Sequence, residues 1–305
     1  NLSFDYYDSK TKDLLFSRTL PVTSAITAWG SPMATWQNIG ETSNKGYEIQ
    51  LSTVNVKSRN FQWSSSISYT HNDEKIVDLP DGDLIAKKLF EGHPIKTFYD
   101  FKYAGIWSTA EEEEAAKYGC QPGYVKIETV EQFTTDENGN LVGDGGVHTY
   151  SNTRDLQILG SNVPDGILGV NNTFKYRDFD LSVFAIVRYG QMIDSKTIGW
   201  YSANGNNQPR GTNYWTPENQ SAYFPRPGIA STTGIGSLKY IDGSYAKIKN
   251  ITLGYTFPKK LCKTLGLEQC RLYATAYNVF VLPFKSELKH SDPENNGSDT
   301  FPLYK

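Results

Sequence analysis

The strongest constraint on this chain is a two-residue alternation sustained over segments longer than ordinary strands. In Phe61-Gln62-Trp63-Ser64-Ser65-Ser66-Ile67-Ser68-Tyr69-Thr70 the odd positions are mostly large and apolar, and the even ones are small and polar. Gly46 to Ser52 repeats this, with Tyr47, Ile49 and Leu51 on one face and Glu48, Gln50 and Ser52 on the other. Residues 244–257 carry it furthest. Tyr245, Ile251, Leu253, Tyr255 and Phe257 are expected on one face, and Ser244, Ala246, Asn250, Thr252, Gly254 and Thr256 on the opposite one. Segments 166–176 and 179–188 alternate more loosely. A period of two is the signature of a β-strand. These runs last about ten residues or more, against roughly five or six in soluble sheets.

The connections also alternate. Lys57-Ser58-Arg59-Asn60 and Lys175-Tyr176-Arg177-Asp178 are short, whereas 19–44, 73–96, 134–164 and 191–243 are long. Short turns on one side and long loops on the other fit an outer-membrane barrel, whereas long structureless loops count against a compact soluble domain. About ten strands are predicted, near 1–8, 12–19, 45–57, 60–72, 97–107, 121–133, 165–176, 179–190, 244–257 and 270–282. The single helical candidate runs from Thr109 to Lys117, with Thr109 as its N-cap. A soluble β-sandwich alternates too, but its outer face would usually carry more Lys and Glu than this uniformly small polar face does.

Composition narrows the classes. The 305 residues hold 30 Lys+Arg against 33 Asp+Glu, for a net charge of −3, which gives no basic face for nucleic acid. The 20 Tyr, 15 Phe, 6 Trp and 26 Gly beside 2 Met favour strands and turns. Mean hydropathy is −0.50, and no run approaches the roughly 18 apolar residues of a membrane helix. A membrane barrel, whose strands need only alternate apolar residues, stays open. Asn1 opens directly on a strand pattern, and Phe301-Pro302-Leu303-Tyr304-Lys305 reads as the approach to another element, so a piece of a longer protein is expected.

Several segments match as words. Asp5-Tyr6-Tyr7 followed by Thr11-Lys12-Asp13-Leu14-Leu15 resembles a barrel hairpin of TonB-dependent outer-membrane receptors. Asn38-Ile39-Gly40-Glu41 leading to Asn44-Lys45-Gly46-Tyr47-Glu48 is similar to the start of the following strand. Glu91-Gly92-His93-Pro94-Ile95 with Tyr103-Ala104-Gly105-Ile106-Trp107 narrows the resemblance to the SusC/RagA family. So do Trp215-Thr216-Pro217-Glu218-Asn219 with Pro225-Arg226-Pro227, and Asp242-Gly243-Ser244-Tyr245 running into Lys249-Asn250-Ile251-Thr252-Leu253-Gly254-Tyr255. Tyr277-Asn278-Val279-Phe280 and Asp292-Pro293-Glu294 follow in the expected order.

The resemblance implies an all-β fold: an antiparallel transmembrane barrel of 22 strands with a plugged lumen. Residues 1–305 would be its C-terminal portion, with plug, first strands and last strand absent. It implies an importer of oligosaccharide or peptide in the outer membrane of a Gram-negative bacterium. That importer would be energised by TonB, work with a SusD-like surface lipoprotein, and need no cofactor. By strand parity, turns 57–60, 177–178 and 258–269 would face the periplasm and the long loops the outside. Ser64, Ser66, Ser68, Asn250 and Thr252 would line a hydrated lumen, while Tyr245 and Tyr255 would anchor opposite ends of a lipid-facing row. The alternative on alternation alone is a soluble or surface-attached β-rich glycan-binding module or glycosidase.

No catalytic constellation is present. His71, His93, His148 and His290 are scattered, without His-x-x-x-His or Gly-x-Ser-x-Gly spacing. Glu111 to Glu114 reads as a solvated helix face. Cys120, Cys262 and Cys270 lack metal-site spacing, although Cys262 and Cys270 flank one connection and could bridge. Where the family tends to carry an Asp- and Gly-rich loop, Asp136-Glu137-Asn138-Gly139-Asn140-Leu141 places Leu141 and Val147 where a calcium loop needs Gly and a carboxylate. The candidate ligand contacts are loop aromatics and amides, Trp200, Tyr201, Asn206, Tyr214 and Trp215, with Arg188 at the outer end of a strand. Flat rings stack on sugar or peptide, but the same residues can simply pack a long loop. Trp29 and Trp36 are equally ambiguous.

Overall fold

The computed structural model describes residues 1–20, 23, 30, 33–38, 40–80, 82–138, 140–199, 212–228, 233–295 and 297–300. Along the chain run β1 (Leu2–Thr11), β2 (Leu15–Thr19), β3 (Ala34–Asn38), β4 (Glu41–Lys57), β5 (Phe61–Asp78) and β6 (Thr97–Ile106). After β6 come α1 (Glu112–Lys117), β7 (Val125–Glu128), β8 (Phe133–Thr135), β9 (Leu141–Gly143), β10 (Leu156–Ser161), β11 (Gly166–Tyr176) and β12 (Phe179–Tyr189). The last part holds β13 (Met192–Asp194), α2 (Lys196–Gly199), β14 (Tyr240–Asp242), β15 (Tyr245–Thr256), α3 (Lys259–Thr264) and β16 (Arg271–Pro283).

Seven of the described strands form one antiparallel sheet in the order β1-β4-β5-β11-β12-β15-β16. The other expected staves lie elsewhere. Segment 12–19 contributes β2, which pairs with β3 as a separate hairpin. Segments 97–107 and 121–133 contribute β6 and β7, which form a three-stranded sheet with β10. Both belong to a single excursion between β5 and β11. Alternation alone could not tell a stave from a strand of equal period inside a loop. The expected helix is also displaced by one residue at its start. Ser108, not Thr109, caps it, through a reciprocal capping box with Glu111.

Every stave has two dissimilar faces. On one, Phe61, Trp63, Ile67 and Tyr69 of β5 stand beside Tyr176, Phe174, Val170 and Leu168 of β11. These in turn stand beside Phe179, Leu181, Ala185 and Val187 of β12. Tyr255, Leu253 and Ile251 of β15 continue the same rows. Aromatic side chains gather near both edges of this face: Trp63, Phe174, Tyr176, Phe179 and Tyr255 at one, and Tyr47, Tyr69 and Tyr189 at the other. Tyr69 and Tyr189 share a hydroxyl hydrogen bond of 2.8 Å. Phe61 and Tyr69 are separated by roughly 27 Å of strand, or roughly 21 Å of depth at a tilt near 40°, close to the apolar band of an outer-membrane barrel. Ser65 and Asn172 interrupt the apolar rows and satisfy each other. Asn172 Oδ1 accepts from Ser65 Oγ at 2.6 Å and from Trp63 Nε1 at 3.0 Å.

The opposite face is small and polar, as expected. Ser64, Ser66 and Ser68 pair with Thr173, Asn171 and Gly169, and Thr252 pairs with Ser182. Ser182 Oγ donates to Asn171 Oδ1 at 3.1 Å, and Thr252 and Thr275 share a hydroxyl bond of 3.0 Å. Near the short-turn edge, Arg271 clamps Asp180 through Nε (3.2 Å) and Nη2 (2.6 Å). That ion pair lies across Gly254, where a Cβ would come within 2.6 Å of the Asp180 carboxylate.

One residue leaves its expected row. A β-bulge at Lys249 shifts the register between Ile248 and Asn250 against β12. The extra residue reverses parity. Tyr245 therefore pairs with Arg188 on the polar face and is 1% exposed, so it is no lipid-side anchor; Tyr255 remains on the apolar rows.

All three short connections, 58–60, 177–178 and 257–270, lie at one edge of the sheet, and all three excursions, 12–40, 79–165 and 190–244, lie at the other. The tightest is Arg177-Asp178, with Arg177 at φ 53°. Cys262 and Cys270 flank the third and are free thiols.

Depth on the apolar face sets the cost of a charge. Val170→Lys, midway between the aromatic edges, is expected to destabilise the assembled barrel by about 2–4 kcal/mol and Leu253→Lys, one pair from Tyr255, by less. Thr252→Lys, on the polar face, is expected to be tolerated. Urea unfolding followed by loss of heat-modifiability on gels measures all three, and equal costs would rule out a lipid-facing assignment.

Candidate functional site

Among the described residues, the polar face and the excursions above its far edge offer the hydrogen-bonding groups that could hold a solute. The wall contributes hydroxyls and amides, and a trough of about 410 Å³ runs along it beside Ser52, Ser64, Ser66, Asn171 and Thr173. Among the described residues lining it, the polar side chains are hydroxyls and amides, which can donate and accept hydrogen bonds. Aromatic side chains also reach this face. Phe184 pairs with Asn171 and Asn250, and Tyr277 with Asn250. Phe184 escaped sequence analysis because it breaks the alternation in a strand where it is already loose.

Toward the far edge the wall becomes charged. The bulge turns Lys247 inward, and its side chain, 2% exposed, lies 2.5 Å from both Asp292 and Glu294. Lys249 pairs with Glu294 as well. The carboxylates come from the segment after β16, which folds back as a strap. Leu288 is fully buried in it, Phe284 N donates to the Ser244 carbonyl, and Ser298 Oγ donates to the Asp194 carbonyl. Asp299 then caps α2, accepting from Ser195 Oγ and Lys196 N, both at 2.6 Å. Burial would raise the Glu294 carboxyl, but the hydrogen bonds from Lys247 and Lys249 outweigh it and hold the group below its ordinary 4.5. Arg188 lies on the same face and donates from Nη2 to the Asn162 carbonyl at 3.3 Å, tying β12 to the loop that enters β11.

Two of the excursions, 79–165 and 190–244, are held above this by a compact apolar platform. Trp107, Ala115, Cys120 and Tyr124 form one cluster. Phe101, Val125 and Ile127 form a second. Ile193, Ile198, Leu238, Ile241 and Leu288 form a third. Tyr150 Oη accepts from Trp107 Nε1 at 3.0 Å, and burial pushes both this hydroxyl and the Cys120 thiol up, so both stay neutral. Buried Asp155 accepts from Val130 N, Ser151 N and His148 Nε2, fixing the base of the β8–β9 hairpin. Asp136 is engaged in that hairpin's own turn, accepting from the backbone of Asn138 and Asn140 at 2.8 Å. Glu111 leaves the solvated run to pair with Lys126 at 2.7 Å.

Of the sequence-predicted ligand contacts, Trp200, Tyr201 and Asn206 lie outside the described residues, as does Trp29. Trp215 is 3% exposed, its ring against Gly123 and its backbone N donating to Phe224 O. Tyr214 beside it is exposed, as is Trp36 in β3. The wall, the strap and the platform do not bring Arg188 and Tyr214 into contact.

The profile of the TonB-dependent receptor-like β-barrel family matches residues 1–279. The chain belongs to the TonB-dependent receptor family. TonB-dependent receptor P3 of Formosa agariphila is 31% identical over 309 residues, covering 97% of this chain and 29% of the relative. TonB-dependent receptor SusC of Bacteroides thetaiotaomicron is 27% identical, covering 98% and 28%. The chain thus spans under a third of the length of these relatives. The structure of the RagAB peptide transporter superposes with a TM-score of 0.71 at 19% identity, covering 97% of this chain and 31% of that one, and so shares the fold. The sheet is therefore a sector of a SusC-like outer-membrane barrel. Its apolar rows face lipid and its polar rows the lumen.

Two consequences can be measured. A Cβ at Gly123, whose φ is 87°, would come within 2.8 Å of the Trp215 ring and the Arg226 Cβ. Gly123→Ala is expected to cost the platform about 1–3 kcal/mol, read as faster proteolysis within 79–165 without loss of the barrel. Because the Glu294 carboxyl is depressed in the folded state, its contribution to the strap is complete above the ordinary carboxylate range. That contribution is lost as pH falls through the lowered value. Hydrogen exchange across 286–299 is expected to rise on acidification, and in Glu294→Gln to be raised already at neutral pH.

Proposed function

We propose that residues 1–305 are the C-terminal part of the barrel of an importer that takes a hydrated nutrient, oligosaccharide or peptide, across the outer membrane. The observation that carries this is the division of one continuous sheet into lipid-facing and hydroxyl-lined faces, with every long excursion at one edge. The excursions face the outside, where substrate is captured between them and a SusD-like surface lipoprotein. The short turns face the periplasm, where TonB acts on a plug contributed by the rest of the protein. The wall offers hydrogen bonds without any reacting group, so the solute passes unchanged. The name of the RagAB peptide transporter favours peptide. The many hydroxyls and amides serve a glycan equally well. A soluble glycan-binding module or glycosidase, the other reading of the alternation, leaves two aromatic girdles with nothing to contact.

In intact cells carrying the complete transporter, a membrane-impermeant thiol reagent is expected to label Glu137→Cys and to spare Lys263→Cys. The reverse pattern would overturn the orientation. Deleting the transporter is expected to abolish TonB-dependent uptake of one labelled solute class, oligosaccharide or peptide. Unchanged uptake of both would end the import reading.

A further inference from the structure

The connection between β15 and β16 is built unlike a simple turn. Pro258 opens it, its carbonyl accepting from Leu261 N and Cys262 N at 3.0 and 3.2 Å. Gly266, at φ 70°, closes it. Gly266 N donates to Lys263 O and Leu267 N to Cys262 O, the paired bonds of a Schellman stop. Cys262 is buried and anchors α3 on the Phe257 carbonyl. The conformation is thus set locally, and it has two sides. At 100° per residue, Leu261 and the C-cap Leu265 lie about 40° apart on one side of Cys262, whereas Lys259, Lys260 and Lys263 occupy the arc opposite the leucines.

Both arcs are open. Leu261 is 45% exposed, Leu265 64% and Leu267 46%. Among the described residues none of the three lysines has an ion-pair partner. Single exposed leucines need no explanation, but three within one short connection do. They lie at the end of β15, just beyond Tyr255 and Phe257, whose rings meet edge-on. The apolar arc thus follows the aromatic girdle in the chain, at the end of a strand that carries the lipid-facing rows. The same edge gathers cations from the neighbouring turns, Lys57, Arg59, Lys175 and Arg177, against the acids Asp178 and Glu268 and the Asp180 already paired with Arg271. Arg177 lies over the Tyr176 ring, 5.5 Å from its centre, at girdle level.

We propose that α3 is an interfacial helix that docks on phospholipid of the leaflet at the short-turn edge. Leu261, Leu265 and Leu267 enter the upper acyl layer, and Lys259, Lys260 and Lys263 bind headgroup phosphates. Apolar area and cationic charge on opposed arcs of one helix are the two attractions that hold such helices in a membrane surface. The occupant is chosen by continuity with the lipid-facing rows and by charge. An acidic periplasmic protein would satisfy the lysines but not the leucines at membrane level. The leaflet assignment rests on the orientation proposed above.

The test uses the complete transporter in isolated outer membranes, with a photo-crosslinking benzoylphenylalanine placed in turn at Leu265, at Lys260 on the cationic arc, and at Leu253 on the lipid-facing sheet. The proposal expects a phospholipid-mass adduct at Leu265 and Leu253, with several-fold less at Lys260. It further expects that changing Lys259, Lys260 and Lys263 together to Glu lowers, several-fold, the phosphatidylglycerol retained by the purified transporter in native mass spectrometry. A lipid A adduct at Leu265 would reverse the orientation and with it the choice of leaflet. A protein adduct, or no adduct, at Leu265 with a lipid adduct at Leu253 would overturn the docking of α3 and leave the import reading intact. Lipid at neither position would overturn both.

Discussion

Everything in this sheet depends on the backbone's need for hydrogen-bond partners where water is absent. In hydrocarbon an unpaired N–H or C=O costs several kcal/mol, so each stave must bond to a neighbour on both sides along its membrane-crossing length. Antiparallel pairing meets that need for the five inner staves, β4, β5, β11, β12 and β15. It then imposes strict parity, because successive side chains must point to lipid and to lumen in turn. Length follows as well. Staves such as β4 and β5 run 17 and 18 residues, long enough to cross the apolar band and project beyond it. The terminal staves β1 and β16 pair on one side only, which is what a sector cut from a closed barrel must show.

An added residue changes parity, and two of the bulges are where this sheet becomes specific. At Asn55 in β4 the inserted residue lets Val54 face Ser64 inward while Val56 returns to the apolar side beside Trp63. At Lys249 in β15 the effect is larger, because Lys247 and Tyr245 are carried into the interior. A buried ammonium is untenable alone, and the strap answers it with Asp292 and Glu294, which explains why Asp292-Pro293-Glu294 stands where it does. The carboxylates are held by backbone geometry too, since Glu294 N donates to Asp292 Oδ1 at 3.1 Å. One inserted residue thus accounts for a charged cluster assembled from segments 45 positions apart.

Much of this was legible in the residues. The lipid and lumen faces of β5 and the lower half of β15, the short turns, and the single edge bearing the long connections all follow from period and spacing. What escaped was whatever alternation leaves unchanged. β6 and β7 alternate as a stave does, so Phe101 and Val125 could not reveal that their apolar side faces a loop core rather than lipid. Tyr245 sits beyond a bulge, and nothing in Lys247-Ile248-Lys249-Asn250 distinguishes a register slip from two exposed lysines until the partner strands are known. The ligand contacts proved least legible. Tyr214 and Trp215 are adjacent aromatic residues and end in opposite environments, one exposed and one buried, in a turn closed by Asn219.

The platform bears on how capture above such a barrel can work. Its three apolar clusters are not separate knots, since Ile235 packs against all of them and Tyr103 and Tyr150 each join two. Ile235 belongs to the excursion between β12 and β15, whereas Trp107, Phe101 and Val125 belong to the one between β5 and β11. Hydrogen bonds cross the same seam, from Tyr103 Oη to the Tyr223 carbonyl and from Arg226 N to the Gly123 carbonyl. Leu288 of the strap completes the third cluster, so a third connection is bound into the same core. Excursions packed in this way move as one body, because displacing any of them exposes the apolar surface of the others. Any large rearrangement at the excursion edge must therefore come from segments that take no part in these clusters, or from the platform tilting as a unit on the staves that carry it.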